Sequence, residues 1–288
     1  GVSRQCIDYE IRKGMVFQRD THLNDVYLYK ADYAQMITDK NKKSTGVKLR
    51  FVDNDKLMNS IKNTIKANYS PYATIQVLGL EGVISEKTIY NYVRRKLIKG
   101  LSWKDLPYMK ADKRKFSHEP KLVMPFGKTI DFRPEEVAGR STPLHWEMDT
   151  VYSAKGNLPC LLTLTERKTL LEVIKPMRNR TQASLSTVWR VSQKDMEVKN
   201  FKEVFKSITV DNGMEFRDFA MIEKSIYSDN KVTSVYFAHP YRSGERGSNE
   251  NQNRMIRRKI PKGDNIGLYS ESEIKEYTRW LNTYPRKK

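Results

Sequence analysis

Cysteine, histidine and unbroken apolar sequence are all scarce in this chain of 288 residues. Cys6 and Cys160 are the only cysteines, too few for a disulfide framework or a Cys-rich zinc cluster, so a reducing, cytoplasmic compartment is expected. His22, His118, His145 and His239 are scattered and do not pair with the cysteines as a zinc-binding domain would require. His145, next to Trp146, reads as a surface strand residue rather than a ligand. No apolar run approaches the roughly 18–20 residues of a membrane span, and nothing in the first residues reads as a signal peptide.

Acidic residues are the other shortage. Against 53 Lys and Arg there are 34 Asp and Glu, a formal net charge of +19. Such an excess calls for a polyanionic partner. Nucleic acid is favoured, because phosphate neutralisation by Lys and Arg dominates affinity there. A membrane surface fits less well, since the basic residues gather neither on one amphipathic helix nor in a terminal tract. Both halves of the chain are basic, so the partner is expected to lie along the whole protein.

The N-terminal third reads as helices. Leu57, Ile61 and Ile65 recur at four-residue spacing in 55–68. "SPYATIQVLG" follows with Ser70 as N-cap and Pro71 at the first helical position. After a turn at Glu81-Gly82, Ser85 caps a third helix, with Ile89 and Val93 facing inward and Lys87, Thr88, Asn91, Arg94 and Arg95 on its other faces. Helix, short helix, Gly-containing turn and basic helix make a helix-turn-helix whose last helix would enter the major groove. The plainer alternative is a three-helix bundle with solvated lysines. "GVSRQCIDYEIRKG" resembles a second recognition helix, capped by Ser3, with Ile7 and Ile11 as its inward stripe and Gly14 as its stop. The helices that should precede it are missing, so the chain is expected to be a fragment that begins inside a motif.

Four prolines and little periodicity mark 111–143 as linker-like. Beyond it the pattern turns to strands: "LHWEMDTVY" (144–152), "CLLTLTE" (160–166) and "TLLEVIKP" (169–176), the last two joined as a hairpin. A helix near 180–196, a strand at 207–211, a helix at 215–227, a strand at 233–238 and a closing helix complete the series. This order suits a mixed five-stranded α/β sheet, and it is the order of a ribonuclease H-like domain. The expected organisation is 1–50, remnant of a first helix-turn-helix and connector; 51–110, a second, all-α helix-turn-helix; 111–140, linker; and 141–288, an α/β catalytic domain.

Three acids sit where these elements end or turn. Asp149 lies in the first strand of the sheet, Asp211 closes the fourth ahead of Asn212-Gly213, and Glu250 opens the last helix. If the first and fourth strands are neighbours, Asp149 and Asp211 point at one spot, and the helix can bring Glu250 over it. Converging carboxylates in a basic chain suit Mg²⁺ or Mn²⁺. Two such ions about 4 Å apart would promote in-line displacement at a phosphodiester. Taken singly, each acid has a plainer role: a solvent-facing strand residue, a turn-forming Asp, and an i,i+4 partner for Arg254 worth ~0.3–0.5 kcal/mol. The segment around Glu250 is itself crowded with cations, with seven Lys or Arg between Tyr241 and Gly263.

"HWEMDTVYSAKGNLPCLLTLTERKT", "ITVDNGMEF", "YFAHPYRSGERGSNENQNRMIRRKIPKG" and "LNTYPRK" resemble, in order and nearly end to end, the IS-thirty family of bacterial insertion-sequence transposases. "GVSRQCIDYEIRKG", "SPYATIQVLG", "SEKTIYNYV" and "KGLSWKDLP" are similar to that family's two helix-turn-helix segments and the passage after them. The resemblance implies an integrase-like catalytic domain with a D…D…E triad, carried here by Asp149, Asp211 and Glu250. The gap from Asp211 to Glu250 is longer than the family's usual one, and Glu245 fits that gap better. The match of "RGSNENQNRMIRR" to the family segment selects Glu250, and extra residues near 225–232 account for the length. The chain also stops at "YPRKK", where family members continue.

The activity implied is Mg²⁺- or Mn²⁺-dependent cleavage at an element's ends, followed by strand transfer. Arg4, Gln5, Lys87 and Asn91 are the candidate base-edge readers, and Thr88 is a further DNA-binding candidate. Arg94, Arg95, Arg246, Arg254, Arg257 and Arg258 are the candidate phosphate contacts on double-stranded DNA. Two ends must meet, so a homodimer or higher assembly on DNA is expected. Two alternatives remain: a DNA-binding regulator whose sheet domain only dimerises, and a structure-selective nuclease of the same fold.

Overall fold

The computed structural model describes all residues except 1, 45–48, 50, 52, 108–124, 197, 241 and 288. Most of the expected linker's first half therefore lies outside the described residues, as does Tyr241. The chain divides into two compact units, Gly1–Met58 and Asn59–Lys288.

In the first unit, α1 (Arg4–Gly14) is capped by Ser3, whose hydroxyl accepts the Cys6 amide, as the sequence predicts. Two expectations fail here. Ile7 and Ile11 are 51% and 46% exposed rather than inward-facing, and the buried position of the helix is Gly14. A Cβ on Gly14 would stand 2.2 Å from the Tyr29 ring, so this close approach needs glycine. The unit is also not all-α. "MVFQR" and "DVYLY" form a hairpin, β1 (Met15–Arg19) and β2 (Asp25–Tyr29), paired antiparallel. Their period-two alternation, and an Asp20 carboxylate that accepts the His22 and Asn24 amides, fix strand and turn. Helix α2 (Ala31–Ser44) follows.

The second unit takes in most of α3 (Asp55–Lys66) and then α4 (Pro71–Leu78) and α5 (Glu86–Arg94). Ser70 and Ser85 cap as expected, Gly79 ends α4 at φ 62°, and Ile61, Ile65, Ile89 and Val93 are buried. These helices dock on the end of the chain. Ala73 joins an apolar cluster with Ile256, Ile274 and Leu281, Tyr69 stacks on Tyr284, and the Ser70 amide donates to the Tyr284 hydroxyl.

After the short α6 (Glu135–Ala138) comes the sheet: β3 (His145–Tyr152), β4 (Cys160–Glu166), β5 (Glu172–Met177), β6 (Ser207–Val210) and β7 (Ser234–Phe237), in the order β5-β4-β3-β6-β7. The β3–β4 and β4–β5 pairs are antiparallel, and β3–β6 and β6–β7 are parallel. This is the mixed five-stranded sheet expected. One face carries α7 (Gln182–Lys194), α8 (Val198–Val204) and α9 (Phe219–Glu223) over Trp146, Met148, Leu162 and Phe237. The other carries α10 (Gly247–Ile256) and α11 (Glu271–Asn282) over Val151, Leu161 and Ile174.

Details differ from the sequence reading. The helix expected over 215–227 is a 3-10 turn at Met214–Phe216 followed by α9, because Ser225–Asn230 close a turn through the Ser225 amide and Asn230 carbonyl. α8 and α11 were not anticipated. β5 begins three residues late, at Glu172, since Glu166 ties down the Thr169 amide and hydroxyl. His145 is 8% exposed rather than on the surface, with its Nδ1 2.7 Å from the Ser207 hydroxyl. No helix among the described residues is long and apolar enough to cross a membrane.

Candidate catalytic site between sheet and helix α10

Strand pairing positions the first two acids. Parallel β3 and β6 match His145 with Ser207, Trp146 with Ile208 and Glu147 with Thr209. Two residues further along the same register stand Asp149 and Asp211, on the same face of the sheet because side chains alternate with period two. β6 ends at Val210 because Asp211 turns the chain: its Oδ1 accepts the Gly213 amide at 2.8 Å. A Cβ on Gly213 would lie 2.8 Å from Asp211 Oδ1 and 2.5 Å from Glu215 Oε2, so glycine admits both carboxylates at this turn.

One guanidinium lies between the two aspartates. Arg246 Nη2 is 3.1 Å from Asp211 Oδ2, Nη1 is 3.6 Å from Asp149 Oδ1, and Nη1 also donates to the Met148 carbonyl at 3.4 Å. Burial raises the Asp149 pKa above the ordinary carboxylate range. Arg246 opposes that rise and the neighbouring Asp211 adds to it.

Helix α10 is fastened to the same strand. Glu147 is fully buried, its Oε1 pairs with Arg167, and its Oε2 accepts the Asn249 amide at 2.9 Å. α10 has no side-chain N-cap of its own. A strand carboxylate thus satisfies an amide of its first turn, where the helix dipole also favours negative charge. Four residues on, Asn253 Nδ2 donates to Asp149 Oδ2 at 2.9 Å.

Glu250 lies on this helix and is exposed. Among the described residues no three His, Cys, Asp or Glu side chains converge as a ready metal cluster. Positions 250 and 253 nevertheless lie three apart on α10, on neighbouring positions of one helix face, and Asn253 contacts Asp149, as does Arg246 at the helix N-cap. Glu245, the rival at the family's usual spacing, is engaged elsewhere: His239 Nδ1 lies 3.0 Å from its Oε1, and Arg242 is 3.7 Å away.

Arg254 does not pair with Glu250 but donates to Asn251. Arg257 donates to the Tyr152 and Pro261 carbonyls, and Arg258 to the Tyr284 hydroxyl. In α5, Lys87, Arg94 and Arg95 are exposed while Thr88 and Asn91 are half-buried, with Arg94 donating to Asn91. Arg4 and Gln5 are exposed on α1.

Several side chains were missed in the sequence. Glu147 stands two residues before Asp149, the spacing that shares a strand face. Asn253 is three residues after Glu250. Glu215 is four after Asp211. Its Oε1 accepts Thr150 Oγ1 at 2.8 Å and Arg180 Nε at 2.7 Å.

The chain is thus a mixed α/β protein with two aspartates, one in β3 and one just past the end of β6, at one cation, carried by a strongly basic sequence. No protein-family model matches it. The probable transposase for insertion-like sequence element IS1161 of Streptococcus salivarius is 36% identical over 206 residues, which are 71% of this chain and 56% of that protein. The transposase for insertion sequence element IS4351 of Bacteroides fragilis is 30% identical over 234 residues, 78% of this chain and 67% of that protein. Transposase InsI for insertion sequence element IS30A of Escherichia coli K12 is 30% identical over 161 residues, 56% of this chain and 39% of that protein. The chain belongs to the family of insertion-sequence transposases that includes the IS30 proteins. It spans 39–67% of the length of these three relatives.

Proposed function

We propose that the protein is a metal-dependent transposase that binds the terminal inverted repeats of an insertion sequence, cleaves DNA there and joins the freed end to a second strand. The observation that carries this reading is the register-matched pair Asp149 and Asp211 at one shared cation, Arg246. The sheet order, with β3 central beside β6 and α10 across it, supports a ribonuclease H-like catalytic domain. The capped helices α3–α5 support a helix-turn-helix.

The donor set fits a hard divalent cation, Mg²⁺ or Mn²⁺, in one or two copies. All its donors are oxygens, and the aspartates already accommodate a positive charge. Asn253 Oδ1, beside Asp149, is buried with no hydrogen-bond partner among the described residues. Asp149, Asp211 and Glu250 would hold the metal, which when bound supplies activation of the attacking oxygen and charge stabilisation of the leaving one. The protein's own part is positional. Glu147 and Asn253 hold α10 against β3, and Arg246 and Arg254 present positive charge to a phosphodiester beside the aspartates. Arg94, Arg95, Arg257 and Arg258 extend the phosphate track. Arg4, Gln5, Lys87, Thr88 and Asn91 read base edges. Joining two ends requires at least a dimer on double-stranded DNA.

The test is a duplex carrying an element end, incubated with the protein and Mg²⁺ or Mn²⁺. Cleaved and joined products are expected, and their loss in Asp149→Asn, Asp211→Asn and Glu250→Gln. The reading is abandoned if all three variants cleave like the wild type. Cleavage without joining indicates a structure-selective nuclease, and binding without cleavage a regulator.

A further inference from the structure

On the opposite face of β3 from Asp149 stands an aromatic-cationic pair that the proposed chemistry does not use. Tyr152 ends β3 and is 42% exposed. The Arg180 guanidinium lies 4.5 Å from its ring centroid, and that side chain is also 42% exposed. Neither group is loosely held. Arg180 is fastened through Nε to Glu215, which is 2% exposed and also accepts the Thr150 hydroxyl. Arg257 Nη2 holds the Tyr152 carbonyl at 2.7 Å.

The platform is tied to the catalytic edge at both ends. Thr150 adjoins Asp149, and Glu215 packs across Gly213 from Asp211. β3 pairs with β6 only as far as Glu147, so residues 148–152 run on beyond that pairing, with Asp149 on one face of the strand and Tyr152 on the other.

We propose that Tyr152 and Arg180 form a stacking site for one unpaired nucleobase of the DNA strand whose phosphodiester lies at Asp149 and Asp211. A flat π ligand suits the site. An aromatic ring and a guanidinium plane are the two surfaces on which unstacked bases rest. A cationic ligand is disfavoured by Arg180 itself, and the neighbouring backbone phosphates are favoured by Arg180 and Arg257. A base inside a duplex already has both faces covered, so the site selects strands whose end is frayed or displaced. This deepens the transposase reading and rests on it for the identity of the strand.

The test is equilibrium binding in EDTA to a blunt duplex and to the same duplex ending in a few unpaired thymidines, with 2-aminopurine as the first unpaired base in a parallel series. The wild type should prefer the frayed end about tenfold and quench the 2-aminopurine. Tyr152→Ala should lose both effects while its affinity for the blunt duplex changes less than about twofold, and Tyr152→Phe, which keeps the ring, should retain them. Arg180→Gln should weaken both, with thermal melting confirming that it folds. No frayed-end preference in the wild type, or a preference and quench that survive Tyr152→Ala, overturns the proposal. Because the measurement uses no metal and no cleavage, its failure leaves the phosphodiester reading standing, and failure of the Asp149→Asn test leaves the stacking site standing.

Discussion

Arg246 Nη2 donates to Asp211 Oδ2 at 3.1 Å, while the same guanidinium stands 3.6 Å from Asp149. A single side chain, 16% exposed, therefore bridges two carboxylates and offsets part of the repulsion between them. Removing it should destabilise the protein without metal and raise its demand for metal. Arg246→Gln is expected to lose about 1–3 kcal/mol in EDTA, measured by urea unfolding. Mn²⁺ should then raise the melting temperature of the variant more than that of the wild type. Equal Mn²⁺-induced shifts would mean that Arg246 does not compete for the aspartates.

How far the sequence foretold this site follows from how local each determinant is. Asp149 and Asp211 were legible because strand alternation and an Asp-Asn-Gly turn are local signals, and adjacency of the first and fourth strands was enough to bring them together. The caps at Ser3, Ser70 and Ser85 were legible for the same reason. Glu147 was not, because its partners Arg167 and Asn249 are far away in sequence. Ile7 and Ile11 misled because helical spacing reports which face could be buried and says nothing of what covers it. Reading the N-terminal third as helices passes over the β1–β2 hairpin, although its residues alternate and Asp20 sets the turn.

The Glu147–Arg167 pair lies in the middle of this framework, with Glu147 at 0% and Arg167 at 4% exposure. Burial pushes the Glu147 pKa up and that of Arg167 down, and the contact between them opposes both shifts. Breaking such a pair from one side leaves an uncompensated buried charge, at a cost of about 3–5 kcal/mol. Arg167→Met should therefore unfold in distinctly less urea than the wild type. The double variant Glu147→Gln/Arg167→Met should recover part of the loss, since no lone charge remains. A double variant no more stable than the single would show that the loss comes from the Val137 carbonyl contact of Arg167 and from packing instead.

Glu172 gives a pH prediction. It is 1% exposed, its Oε2 accepts the Thr165 hydroxyl at 2.7 Å, and its Oε1 has no partner among the described residues. Burial raises its pKa well above the ordinary value of 4.5, against the Thr165 hydrogen bond and the charge of Arg286. A raised carboxyl pKa means that the folded state holds the proton after the unfolded state has released it. Its contribution to stability is full below the unfolded pKa and is lost as pH rises through the folded one. Glu172→Gln supplies a permanently neutral side chain of the same shape. It should leave stability little changed in acid and increase it toward neutral pH, flattening the urea midpoint against pH. A variant whose midpoint tracks the wild type across that window would remove Glu172 as the titrating group.

The two kinds of DNA contact proposed for α5 separate by salt dependence. Arg95 and Lys87 are both exposed, at the C-terminal cap and in the first turn of the helix. A recognition helix reads bases near its N-terminus, so under the proposed reading of α5 Lys87 would meet base edges and Arg95 phosphate. Arg95→Ala should weaken binding about equally on end-containing and unrelated duplexes, and lower the slope of log affinity against log salt by about one. Lys87→Ala should instead cost about 1–3 kcal/mol on the end sequence alone and narrow its advantage over unrelated DNA. Fluorescence anisotropy over a range of salt measures both quantities in one experiment. If Lys87→Ala lowers binding equally on both duplexes, Lys87 is a backbone contact, and the reading of sequence passes to Thr88 and Asn91 on the same helix.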